Sequence, residues 1–135
     1  MRGLAVCFLA LLFLGACTSD KEKADQFFKT GRQKIYSHDL TGAIEDLSQA
    51  IQYNRELDQA WYYRGNAYYN LRDVDAAKAD YDTCIMINPS FAEAYANRGS
   101  ILFEKGDRDA ACSDWRKAKE LGKENMSSRL MNCLE

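Results

Sequence analysis

The 135-residue sequence has one proline, one histidine and almost no charge imbalance, with 18 Lys and Arg against 20 Asp and Glu. Each scarcity removes a class of function. One proline leaves no proline-rich recognition or spacer segment. With His38 alone, a histidine-rich metal site is absent and any Ser-His-Asp triad would rest on that residue. It stands in Ser37-His38-Asp39, with no nucleophile at motif spacing. A formal net charge of -2 lacks the basic footprint of a nucleic-acid-binding domain. There is no glycine-rich phosphate loop, no His-x3-His and no Cys-x2-Cys. The chain is therefore expected to be no enzyme, with no cofactor, metal, nucleic acid or small-molecule substrate. What is present is a foldable balance for one domain, 47% hydrophobic and 28% charged.

An uncharged apolar run, Leu4 to Leu14, follows Arg2. As a helix it would span about 16 Å, against about 30 Å for a bilayer core, so it reads as a secretory signal over 1–16. The run ends Leu14-Gly15-Ala16-Cys17. This ending resembles the bacterial lipoprotein signal, which implies cleavage before Cys17 and lipidation of its thiol. More than one acyl chain gives stable anchoring where a single chain does not. Residues 17–23 would then form the lipidated N-terminus and a polar tether. Within that class, Thr18 in place of Asp implies the outer membrane, with the periplasmic or surface face left open.

The remainder is periodic. Gly31, Gly65 and Gly99 are spaced by 34, as are Ala43, Ala77 and Ala111. The same interval relates Asp39, Asp73 and Asp107, and also Asp46, Asp80 and Asp114. Leu47, Tyr81 and Trp115 form a large column, and Ala50, Cys84 and Ala118 a small one. The middle copy reads Trp61-x2-Arg64-Gly65-x2-Tyr68, Ala77-x3-Tyr81, then Pro89. These columns resemble the tetratricopeptide (TPR) repeat, a helix–turn–helix unit that buries its face only by stacking. The resemblance implies an all-α, right-handed α-solenoid with repeats at 24–57, 58–91 and 92–125 and a capping helix at 126–135. Small residues let paired helices approach, with Trp61, Tyr68 and Tyr81 filling the space around Gly65. Asn54, Asn88 and Gly122 are expected as left-handed helix stops. Met126, Leu130, Met131 and Leu134 fall at helical spacing and are expected to form the apolar face of the cap.

The family binds peptide segments on the concave surface lined by the first helix of each repeat. Carried over by column, the groove comprises Asp25, Phe28, Arg32, Ile35 and Tyr36 from the first repeat. Gln59, Tyr62, Asn66, Tyr69 and Asn70 follow from the second, and Glu93, Ala96, Ser100, Phe103 and Glu104 from the third. The rings at Phe28, Tyr62, Tyr69 and Phe103 are expected to be anchors rather than intra-repeat core. The basic clamp of chaperone-binding relatives is absent. The resemblance thus implies a protein or peptide partner in the cell envelope. The alternative is a pilotin-like assembly subunit of an outer-membrane complex, docking by another face.

The column that is usually Leu holds Thr30, Arg64 and Arg98. Together with Asp46, Asp80 and Asp114 these residues suggest a charge ladder running Asp46, Arg64, Asp80, Arg98, Asp114. Each Arg would bridge its own repeat and the preceding one. Of five cysteines, Cys7 leaves with the signal and Cys17 carries lipid, which leaves Cys84, Cys112 and Cys133. Cys84 occupies a small core column, Cys112 points toward the cap and Cys133 lies on it. The Cys-x2-Trp motif at Cys112–Trp115 with a terminal Cys resembles the closing segment of many bacterial TPR proteins. A Cys112–Cys133 disulfide is expected, with Cys84 reduced.

Overall fold

The computed structural model describes the chain from Leu4 to Leu134, and its side chains from Asp20 onward. The Cys17 side chain, expected to be lipidated, lies outside the described residues. Seven helices follow one another: α1 (Leu4–Tyr36), α2 (Leu40–Tyr53), α3 (Asp58–Asn70), α4 (Val74–Ile87), α5 (Ala92–Glu104), α6 (Arg108–Glu120) and α7 (Ser127–Met131). Among the described residues there is no strand, and no helix is long and apolar enough to cross a membrane. Each helix packs on its neighbours in sequence, which builds a solenoid of three helix pairs closed by α7.

The repeated Asp column starts each second helix. Asp39, Asp73 and Asp107 accept hydrogen bonds from the main-chain N–H of Gly42, Ala76 and Ala110 at 3.0, 3.1 and 3.2 Å. Each satisfies an amide that the first helical turn leaves without a partner, worth about 1 kcal/mol per cap. The residue just before each cap is left-handed: His38 at φ 62°, Arg72 at φ 67° and Gly106 at φ 86°. Only the third copy uses the residue type that adopts this region without steric cost.

Asn54 and Asn88 depart from the expected left-handed stop. Their φ values are -143° and -130°, which is extended backbone. Their side chains close the inter-repeat turn instead, accepting from the N–H of Glu56 and Ser90, both at 3.1 Å. Asn88 also donates to Asp58 at 2.7 Å, tying the end of one repeat to its start. Gly122 does adopt the left-handed region, at φ 90°.

Small residues set the spacing within each pair. A Cβ on Gly65 would stand 2.8 Å from the Tyr81 ring and 3.3 Å from the Ala77 carbonyl. Tyr81 is 1% exposed, and Leu47, Ile101, Cys84 and Trp115 are buried with it at successive levels of the stack. The cap differs from expectation beyond its first turn. Met126 is buried and Leu130 packs on the Trp115 cluster, whereas Met131 and Leu134 are exposed. The helix stops at Met131, itself exposed, so helical periodicity does not carry Leu134 back to the core.

Candidate functional site

Two arginines stitch the repeats together. Arg64 donates through Nε and Nη2 to both oxygens of Asp80, at 2.8 and 2.7 Å, and through Nη1 to Ser48 of the preceding repeat at 3.0 Å. Arg98 repeats the pattern, with Asp114 at 2.8 and 2.7 Å and Asp82 of the preceding repeat at 2.8 Å. Asp80 and Asp114 are buried, and each guanidinium lies over a ring on its own helix: Arg64 over Trp61 and Arg98 over Tyr95. The asparate bond fork and the ring together hold each guanidinium flat. Burial pushes the Asp80 carboxyl up, against the downward pull of Arg64.

Each Arg thus joins its own repeat to the one before, but not as one alternating ladder. The fork consumes both oxygens of the arginine's own-repeat Asp, so only Nη1 reaches back. It lands two residues beyond the expected column, on Ser48 and Asp82 rather than Asp46 and Asp80. Asp46 pairs instead with Lys34 at 2.8 Å, because Thr30 replaces the arginine in the first copy.

Beside this framework lies an open cavity of about 390 Å³. Its walls come mainly from first helices: Ile35 and Tyr36 of α1, Asn66, Tyr69 and Asn70 of α3, and Ser100 of α5. Tyr63, Tyr81, Asn97 and Arg129 complete it. Asn66 Oδ1 accepts from the Tyr81 hydroxyl at 2.7 Å and from Asn97 Nδ2 at 3.0 Å, which fixes its amide. The Tyr69 hydroxyl donates to Glu104, and that bond holds its pKa above the ordinary phenol value. A second hollow adjoins at Tyr36, where Arg32 and Lys29 line it. The Arg32 guanidinium stands 5.4 Å from the centre of the Phe28 ring and 5.1 Å from that of Tyr63.

Three expected anchors are structural instead. Phe28 is buried beside Leu47 and Ile51. Tyr62 is half-buried with its ring centre 4.8 Å from that of Phe91, and burial raises its hydroxyl pKa. Phe103 packs 5.4 Å from Trp115. Phe91 of the inter-repeat turn covers Tyr62, Trp115 of the partner helix covers Phe103, and Leu47 and Ile51 of α2 with the Tyr63 ring of α3 cover Phe28. Tyr63, one residue after Tyr62, takes the place at the cavity.

At the far end, Cys112 and Cys133 form a disulfide with Cα atoms 5.8 Å apart, while Cys84 is buried and free. Burial pushes the Cys84 thiol up to about 12.

Family models described as tetratricopeptide repeat match residues 59–91 and 92–125, and one described as TPR repeat matches 25–71. The chain belongs to the tetratricopeptide-repeat family. Among solved structures, the first TPR of Spaghetti (RPAP3), bound to the HSP90 peptide SRMEEVD, matches with a TM-score of 0.78 at 20% identity, over 82% of this chain and 90% of that one. The Arabidopsis OM64 TPR domain matches at 0.79 and 20% identity, over 85% and 99%. MamA matches at 0.71 and 29% identity over 79% of this chain, which spans 61% of MamA. No curated protein matches the sequence.

Proposed function

We propose that this TPR protein is a lipid-anchored interaction module of the bacterial envelope, whose groove binds an extended peptide segment of an envelope protein. The observation that carries this reading is the open cavity built from Tyr36, Tyr63, Tyr69, Asn66 and Asn70. Tyrosines offer large rigid contact surfaces, and the amides of Asn70 and Asn97 can pair with a peptide main chain. The likeness to a TPR domain solved with a peptide supports the same reading. Anchoring rests on the Leu14-Gly15-Ala16-Cys17 sequence.

The test is site-specific photocrosslinking in intact cells, with the reactive residue placed at Tyr69 in the groove or at Met86, which is 75% exposed outside it. Groove binding predicts a partner captured from Tyr69 and displaced by a short peptide of that partner. Capture from Met86 alone, with no competition by peptide, would establish the docked assembly subunit instead. Cys17→Ser should abolish incorporation of labelled fatty acid. A wild-type protein without acyl chains would overturn the anchor.

A further inference from the structure

The cap brings a charge to the groove that no repeat column supplies. Arg129, on α7, lines the same cavity as Tyr69 and Ser100. Its Nη1 donates to the Ala96 carbonyl at 3.1 Å, an oxygen that also accepts from Trp115 Nε1 at 3.2 Å and from the Ser100 hydroxyl at 3.2 Å. Among the described residues it has no carboxylate partner, unlike Arg64 and Arg98. Arg32, at the first-repeat end, is likewise without one, and its buried Nε has no hydrogen-bond partner. The Glu104 carboxylate accepts from the Tyr69 hydroxyl and is not among the residues that line the cavity. The cavity is therefore lined by neutral tyrosines and amides, with an uncompensated guanidinium at its cap end and another beside it at Arg32.

A five-residue helix does not hold itself in place. Besides the Arg129 bond to Ala96, α7 is held by buried Met126, the half-buried Leu130, the hydrogen bond from Arg108 to the Asn132 carbonyl at 2.7 Å, and the Cys112–Cys133 bond. The disulfide pins the end of the cap to the body of α6, and Arg129 stands one helical turn before Cys133. Without that bond the position of the guanidinium depends on the packing of Met126 and Leu130, the Arg108 hydrogen bond and its own bond to Ala96.

We infer that Arg129, positioned by the Cys112–Cys133 bond, determines the specificity of the groove by selecting peptides that present a carboxylate beside their apolar contacts. This inference rests on the peptide-binding reading above. A carboxylate suits the position because a guanidinium offers paired donors and opposite charge, and no protein acid already occupies it. The carboxylate can belong to an acidic side chain or to a free C-terminus, and the two sources share this chemistry.

The test uses full-length protein in mild detergent and a fluorescent positional-scanning hexapeptide library, synthesised with free or amidated C-termini. Wild-type protein should prefer acidic peptides over their Gln or amide counterparts by about tenfold or more. Loss of the preference on amidation assigns the carboxylate to the C-terminus; its persistence assigns it to a side chain. Arg129→Gln should remove the preference while neutral peptides bind as before, and Arg129→Lys should restore part of it. Reduction of the disulfide should lower the preference toward the Arg129→Gln level, with thermal melting showing that the repeats stay folded. If wild type binds peptides with no preference for acids, or Arg129→Gln and reduction leave the preference intact, the inference fails while the groove reading stands. If no peptide binds in any form, both fail.

Discussion

Replacing Asp80 with alanine isolates the contribution of the arginine rungs. Asp80 is 4% exposed, and its two oxygens take two of the three hydrogen bonds made by Arg64. The variant leaves a guanidinium with 17% side-chain exposure held by Ser48 and the Trp61 ring. Breaking a fully buried pair costs about 3–5 kcal/mol. Partial access of water to Arg64 lowers the expectation to about 2–4 kcal/mol. A chain of this size has a total stability on the order of 10 kcal/mol, so the loss is large. Chemical denaturation should show the midpoint fall with the slope unchanged, and melting should drop by roughly 10 °C. Pairing Asp80→Ala with Arg64→Leu should recover most of the loss, because the uncompensated charge is then gone. Asp82→Ala is the contrasting case. Asp82 is 41% exposed and shared between Arg98 and Lys78, so its removal should cost about 1 kcal/mol or less. The reasoning is refuted if Asp80→Ala stays within about 0.5 kcal/mol of wild type, since a solvated surface pair behaves that way.

Other consequences follow from the same packing. Cys84 should resist iodoacetamide at pH 8 in the folded protein and react only on unfolding, because burial keeps its thiol protonated up to about 12. The same burial favours the folded state below the ordinary thiol range, an advantage lost as pH rises through that range toward 12; titration of stability in strong base checks the sign. Gly65→Ala should destabilise by about 1–3 kcal/mol in urea, since the added methyl meets Tyr81 at 2.8 Å. Tyr62→Ala should cost stability, about 2 kcal/mol or more by the same assay, because its ring packs against Phe91 and Tyr81.

The solenoid was legible because each of its constraints recurs. Gly65 meets Tyr81 and Gly99 meets Trp115 for the same reason, so copies of one column report on one another. The arginine rungs were visible as a departure shared by two copies, though not the atom that reaches back, since the geometry of a guanidinium fork leaves no trace in spacing. The groove was harder to read. Ile35, Tyr36, Asn66, Tyr69, Asn70 and Ser100 do line the cavity. Tyr62 and Tyr63 are the same residue type at adjacent positions, and which one faces the cavity depends on Phe91 arriving from the next inter-repeat turn. Arg129 carried no signal at all: the cap is not a repeat, so no column compares with it. The extended turns at Asn54 and Asn88 were missed because asparagine serves both a left-handed stop and a side-chain-closed turn.

The central claim, that the groove rather than another face holds the partner, is tested most directly by one affinity measurement. The segment of the captured partner is titrated against wild-type protein and Tyr69→Ala, with melting recorded for both. Tyr69 lines the cavity with its hydroxyl on the exposed Glu104, and its half-buried ring also packs on the Tyr81–Ile101 cluster, so the melting record separates lost packing from lost binding. The account predicts binding weaker by roughly 30-fold, the effect of losing one aromatic anchor of about 2 kcal/mol, measured well below the melting temperature of the variant so that both proteins are folded. Equal affinity of the two proteins for that segment would contradict it.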